Sequence, residues 1–276
     1  MKNHLRTRIA PTPSGYLHVG NGISFALTYL LAQKYSGEIL LRIDDLDRGR
    51  FREEYLNDIF ETLEWMGISW QRGPVSADEF EPWAQYQRLD LYFDFLEKLR
   101  ATGLVYACEC SRKQVRADST DGLYAGTCRT KGLSLENAGY AWRIVVPEGT
   151  EISFLGANGL PETVDLAASM GDFVVRKRFG KPSYQVSSTA DDLHYGIDFI
   201  VRGEDLRSST AAQTYLARTV GADRFADIRF LHHPLLVDAS GEKLSKSEGA
   251  PALKTWRATG RNPEKLFDLA KRWMIT

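Results

Sequence analysis

Two polar segments near opposite ends of the chain carry residues suited to phosphate chemistry. Pro13-Ser14-Gly15-Tyr16-Leu17-His18-Val19-Gly20-Asn21-Gly22 is a glycine-rich turn at the mouth of an apolar stretch of helical character. Unpaired backbone N–H groups and the helix dipole favour an anion there, and glycines such as Gly20 let the backbone approach it. His18, with Asn21 beside it, can donate to a phosphate oxygen; the alternative is a histidine that only caps the helix. The second segment, Lys243-Leu244-Ser245-Lys246-Ser247, follows a glycine and holds two ammonium groups able to meet the charge that builds on a triphosphate during in-line attack. An ordinary charged surface loop is its alternative. All three cysteines lie in a third cluster, Cys108, Cys110 and Cys128, with Tyr124 between them. Three thiolates and a phenolate complete a closed four-ligand zinc site, whereas three reduced cysteines against a core tyrosine would need no metal.

The elements that must position these residues alternate. Arg6 to Pro11 reads as a short strand, Ser24 to Tyr35 as an apolar helix ended by Gly37, and Glu38 to Ile43 as a buried parallel strand emptying into Asp44-Asp45-Leu46-Asp47. Such strand, helix, strand order is that of a nucleotide-binding α/β sheet. Apolar residues at helical spacing run from Phe51 to Met66 and from Tyr86 to Leu99, each stopped by a glycine. From Tyr106 to Gln185 the chain changes character, with short β-like runs at Ala141–Val146 and Asp172–Arg176, and reads as an insertion. Phe199 to Arg202 resumes the first pattern as a strand, with Ser208-Ser209-Thr210 as N-cap candidates for a helix reaching Gly221.

Composition sets the broad class. The 276 residues are 43% hydrophobic and 26% charged, with 35 Lys and Arg against 36 Asp and Glu, which fits a soluble globular protein and excludes a disordered or fibrous one. No apolar run is long enough for a membrane span and no signal peptide is readable, so the expectation is a cytoplasmic protein, where a disulfide is disfavoured. A near-zero net charge means that any nucleic-acid partner must be met by local basic patches. One such patch is Gly241 to Thr276, with eight basic residues against four acidic.

Four segments in order carry a resemblance: Arg8-Ile9-Ala10-Pro11-Thr12-Pro13-Ser14-Gly15-Tyr16-Leu17-His18-Val19-Gly20, Leu41-Arg42-Ile43-Asp44-Asp45-Leu46-Asp47, Val201-Arg202-Gly203-Glu204-Asp205-Leu206, and Lys243-Leu244-Ser245-Lys246-Ser247. They resemble the signature segments of glutamyl-tRNA synthetases, class I aminoacyl-tRNA synthetases that are ATP-dependent, AMP-forming ligases. The resemblance implies a Rossmann-type parallel-sheet catalytic domain in two halves, 1–85 and 188–240. It also implies an inserted zinc-bearing, acceptor-like domain over 86–187, and the lysine loop with a short basic helical segment over 241–276. Only 29 residues follow Ser247, where full members have a large helical anticodon-binding region. With Cys-x-Cys and Tyr-x-x-x-Cys, and Ile23 where full-length members commonly have Arg, the chain resembles the glutamyl-queuosine tRNA(Asp) synthetases. These activate glutamate with ATP and Mg²⁺ and esterify it to the queuosine base in the anticodon of tRNA(Asp).

Glutamate's two carboxylates and one ammonium call for two cationic forks and one anion. The resemblance puts Arg8, Ala10, Thr12 and Tyr184 around the amino acid, Arg202 on a carboxylate, and the acid at position 44 against the ammonium. That acid is usually Glu; Asp44 is about 1.3 Å shorter in reach, so its contact needs a shift or a bridging water. His18, Gly20, Asn21 and Lys246 would hold ATP, Lys243 would support the loop, Cys108, Cys110, Tyr124 and Cys128 would hold Zn²⁺, and the chain is expected to be a monomer. Three alternatives stand beside this reading: charging of tRNA(Glu), an adenylate-forming enzyme with a non-tRNA acceptor, and a non-catalytic RNA-binding regulator.

Overall fold

The computed structural model describes residues 5–119, 122–235 and 252–274. In chain order the strands are β1 Arg6–Ile9, β2 Glu38–Leu41, β3 Val105–Cys108, β4 Ala141–Ile144, β5 Glu151–Gly156, β6 Pro161–Asp165, β7 Val174–Arg176, β8 Phe199–Gly203 and β9 Arg229–His233. The α-helices are α1 Val19–Lys34, α2 Glu53–Trp65, α3 Leu89–Ala101, α4 Arg112–Ala117, α5 Leu166–Ser169, α6 Tyr184–His194, α7 Arg207–Thr219, α8 Leu253–Ala258 and α9 Glu264–Lys271. They form two compact units, each assembled from separated stretches: Met1–Arg88, Ile197–Asp205 and Arg229–Thr276 in the first, Leu89–Gly196 and Leu206–Ile228 in the second.

The first unit is built on parallel pairing. β1 pairs with β2 from Arg6 opposite Glu38 to Ile9 opposite Leu41, and β8 pairs with β9 from Phe199 opposite Arg229 to Gly203 opposite His233. Arg6 and Asp198 exchange hydrogen bonds of 2.7 and 3.0 Å, bringing the start of β8 beside β1. These strands are continuous apolar runs because they are covered on both faces, and Ile39, Leu40, Leu41 and Ile200 are all buried. Gly22 on α1 lets α8 and α9 seat on it: a Cβ there would fall 2.9 Å from Leu266 and 3.0 Å from Leu253.

The second unit holds an antiparallel sheet in the order β3-β4-β7 and the β5–β6 hairpin, with α3, α6 and α7. Buried Tyr92 on α3 donates to both carboxylate oxygens of Asp191 on α6, 2.9 Å each.

Several expected boundaries move. α1 begins at Val19 rather than Ser24, because the His18 N–H is satisfied by Asn21 Oδ1 at 3.0 Å and the helix is closed at that point. Tyr86 lies in a 3₁₀ turn and α3 starts at Leu89. Ser208, Ser209 and Thr210 are not N-caps; they sit inside α7, where the Thr210 hydroxyl bonds back to the Leu206 carbonyl at 3.3 Å.

Candidate active site and metal cluster

The glycine-rich turn leads from the end of β1 to α1, and buried Asp58 of α2 fixes it. Asp58 accepts the Leu17 N–H at 3.0 Å and both terminal nitrogens of Arg257 at 3.0 Å. Tyr16 donates to Glu54 at 2.9 Å and accepts from Lys254 at 3.0 Å. The His18 ring lies over Gly20, where a Cβ would stand 3.0 Å from the imidazole. His18 thus occupies the N-cap position of a sixteen-residue helix whose first turn holds no acidic residue. That combination offers an anion backbone donors, a positive dipole end and an imidazole together.

Beside it the strand ends supply charge. Arg8 on β1 is buried and donates to the Val201 carbonyl on β8 at 3.3 Å. Arg202, also buried, has its guanidinium 5.3 Å from the Phe230 ring centre on β9. Asp44, whose N–H bonds to the Pro11 carbonyl at 2.8 Å, is gripped bidentately by Arg42 at 2.7 and 3.1 Å, and both are buried. Sequence reading missed Arg42. Its signal was the two-residue spacing, which in extended backbone puts Arg42 and Asp44 on one face. Asp45 is also structural, accepting the Gln85 N–H at 2.7 Å and Arg48 at 2.8 Å. Ala10 is half-buried and Thr12 is exposed in the turn. Tyr184 opens α6 in the second unit and is 39% exposed.

Lys243 and Lys246 lie outside the described residues, but both ends of their segment are described. On one side, His233 at the end of β9 places Nε2 2.6 Å from Ser24 Oγ on α1 and stacks on Trp273, ring centres 5.4 Å apart. Burial holds its imidazole below the ordinary pKa, against smaller opposing effects of the Pro234 carbonyl and Asp205. On the other side, Ala252 forms an antiparallel bridge with His18, and the Leu253 N–H bonds to the Leu17 carbonyl at 2.7 Å. Sequence reading missed His233 and Ser24, which are contiguous only in the fold.

In the second unit the sulfurs of Cys108, Cys110 and Cys128 lie within 4.8 Å of one another. Cys110 Sγ is 3.5 Å from Cys128 Sγ, and Tyr124 Oη is 3.4 Å from Cys108 Sγ and 3.7 Å from Cys110 Sγ. Tetrahedral zinc with Zn–S bonds of about 2.3 Å has ligand–ligand edges of about 3.5 to 3.8 Å, close to these three separations, and thiolates are donors that zinc favours. Without a cation they suit charge poorly. Burial pushes the Cys110 thiol up to about 11 and the Tyr124 phenol far above its usual value. Burial also opposes the Cys128 thiolate, but hydrogen bonds, led by Tyr124, outweigh it and leave that thiol lowered. Tyr124 Oη accepts the Cys128 N–H at 2.8 Å, and the Arg143 guanidinium lies 3.8 Å from the Tyr124 ring centre. Asp172 braces the surroundings, accepting from Tyr106 at 2.6 Å, Arg129 at 2.6 Å and the Val146 N–H at 2.7 Å.

Residues 4–276 match the family model of tRNA synthetases class I (E and Q), catalytic domain, and the chain belongs to that family of ligases. Among its relatives, the glutamyl-Q tRNA(Asp) synthetases of Burkholderia cenocepacia and Symbiobacterium thermophilum are 40% and 36% identical, covering 90% and 93% of this chain and 82% of each relative. A glutamate–tRNA ligase 2 of Syntrophus aciditrophicus is 32% identical over 95% of this chain and 56% of its own length. The crystal structure of a glutamate tRNA ligase from Elizabethkingia meningosepticum, in complex with its amino acid, superposes with a TM-score of 0.74 at 25% identity. That match covers 96% of this chain and 60% of the ligase. Among the described residues no helix is long and apolar enough to cross a membrane.

Proposed function

We propose that the chain activates glutamate with ATP and transfers it to the queuosine base in the anticodon of tRNA(Asp), acting as a cytoplasmic monomer. The observation that carries this is the gathering on one unit of the His18–Gly20 helix mouth, the buried Arg8 and Arg202, and the Arg42–Asp44 pair. Glutamyl-Q tRNA(Asp) synthetases as relatives support the amino acid and the acceptor. Arg8 and Arg202 take the carboxylates, Asp44 takes the ammonium with Arg42 orienting it, and Ala10 and Thr12 complete the pocket on that unit. His18, Gly20, Asn21 and Lys246 would hold the ATP phosphates, whose charge Mg²⁺ would help neutralise, and Lys243 would support its loop.

The chemistry is positioning and charge stabilisation. The α-carboxylate attacks the α-phosphate and expels pyrophosphate; a hydroxyl of the RNA acceptor then attacks the mixed anhydride and releases AMP. No protein nucleophile is needed. Cys108, Cys110, Tyr124 and Cys128 would hold Zn²⁺, which supplies structural cross-linking of the inserted domain.

The test is glutamate-dependent ATP–pyrophosphate exchange without RNA, then transfer to tRNA(Asp) with and without queuosine. Exchange with glutamate and queuosine-dependent labelling are expected. Lys246→Ala should lower exchange about 10²- to 10³-fold with the fold intact. The glutamate–tRNA ligase 2 relative favours a second reading, charging of tRNA(Glu); transfer to tRNA(Glu) in the same assay would select it.

A further inference from the structure

We propose that Phe179 is a stacking platform for an unpaired RNA base, presented by a basic turn fastened to the Cys108–Cys110 segment. Phe179 is 79% exposed, more than any other large hydrophobic residue among those described. Its backbone is left-handed, φ 62° and ψ 26°, a region where a bulky side chain is strained and Gly, Asn or Asp would rest more easily. The surroundings impose that conformation. Arg176 bridges Pro182, the Lys177 N–H donates to the Lys181 carbonyl at 2.7 Å, and the Phe179 N–H donates to the Ala138 carbonyl at 2.7 Å. Arg178 donates to the Glu109 carbonyl, between Cys108 and Cys110, and so ties the turn to the cysteine cluster.

An aromatic ring held in solvent at the cost of backbone strain points to recognition rather than to packing. Charge selects the partner. Lys177, Arg178 and Lys181 adjoin Phe179 in sequence, Arg176 being turned onto the Trp142 ring, and no acidic residue falls between 174 and 183, while the whole chain has a net charge of −1. Basic groups beside an exposed aromatic match a nucleic-acid strand, whose unpaired bases stack while its phosphates meet the cations. This inference rests on the reading of the chain as an RNA-charging enzyme and adds to it an RNA contact on the second unit.

The test is Phe179→Gly, with Phe179→Trp as the restoring variant. Glycine relieves the left-handed strain, so the thermal midpoint should hold or rise, and glutamate-dependent pyrophosphate exchange without RNA should not change. Affinity for unfractionated tRNA and for a short single-stranded oligoadenylate should fall about 5- to 100-fold, and Trp should restore it. Wild-type affinity in the Phe179→Gly variant, or no RNA binding by the unaltered chain, would overturn the proposal. So would a ring-dependent change in sedimentation without RNA, which would make a second copy of the chain the occupant. Loss of exchange from both proteins would count against the activity reading alone, because the binding comparison is independent of it.

Discussion

His233 packs its ring between Ser24 and Trp273, and burial keeps it from charging easily. A base whose folded pKa is depressed binds fewer protons folded than unfolded, so stability is complete above about pH 6.5 and falls as pH drops below it. The thermal midpoint should therefore decline from about pH 7 to about pH 5, and His233→Asn should flatten that decline even though it lowers the midpoint by losing the stack. A decline equally steep in the variant would assign it to other groups. At this scale motifs in the sequence singled out Arg8, His18, Asp44 and Arg202, and all four lie in the first unit. Sequence reading missed Arg42 and His233, whose roles depend on partners set by strand direction or by distant chain. Asp44 itself changes meaning: a carboxylate gripped through both oxygens by Arg42 is a rigid anion, and its shorter reach cannot be recovered by side-chain motion.

Turns and short elements hold the site more than helix propensity does. Gly73 has φ 110°, and a Cβ there would come 2.2 Å from the Leu41 carbonyl oxygen, a backbone atom that cannot yield. Gly73→Ala should displace the end of β2, from which Arg42 and Asp44 emerge, and cost about 2 to 3 kcal/mol, read as a lower urea midpoint. The cysteine cluster predicts bound metal: purified protein should carry about one zinc by elemental analysis, and Cys128→Ser should lose it and unfold at lower temperature. Absence of zinc from the unaltered protein, purified without chelator, would leave three reduced thiols around a core tyrosine. The βα pattern of the first unit was legible from apolar runs, and the second showed only as a change of composition with short β-like runs; its antiparallel pairing depends on contacts between distant strands. Helix starts were not, because α1 begins where His18 and Asn21 satisfy one another, and α7 buries the hydroxyls that suggested its cap.

Across the whole chain, acidic and basic residues nearly cancel, 36 against 35. RNA affinity must then come from a few local cations, and log K against log salt should have a slope of only about −2 to −3, with Lys181→Ala reducing its magnitude by about 1. A much steeper slope would mean that a broad basic surface is at work. Both units are discontinuous in sequence, and which segments join which unit depends on pairings between distant strands. One such arrangement makes two distant stretches depend on a single helix. His233 is hydrogen-bonded to Ser24 and Ala252 is bridged to His18, so fraying the start of α1 would release both together.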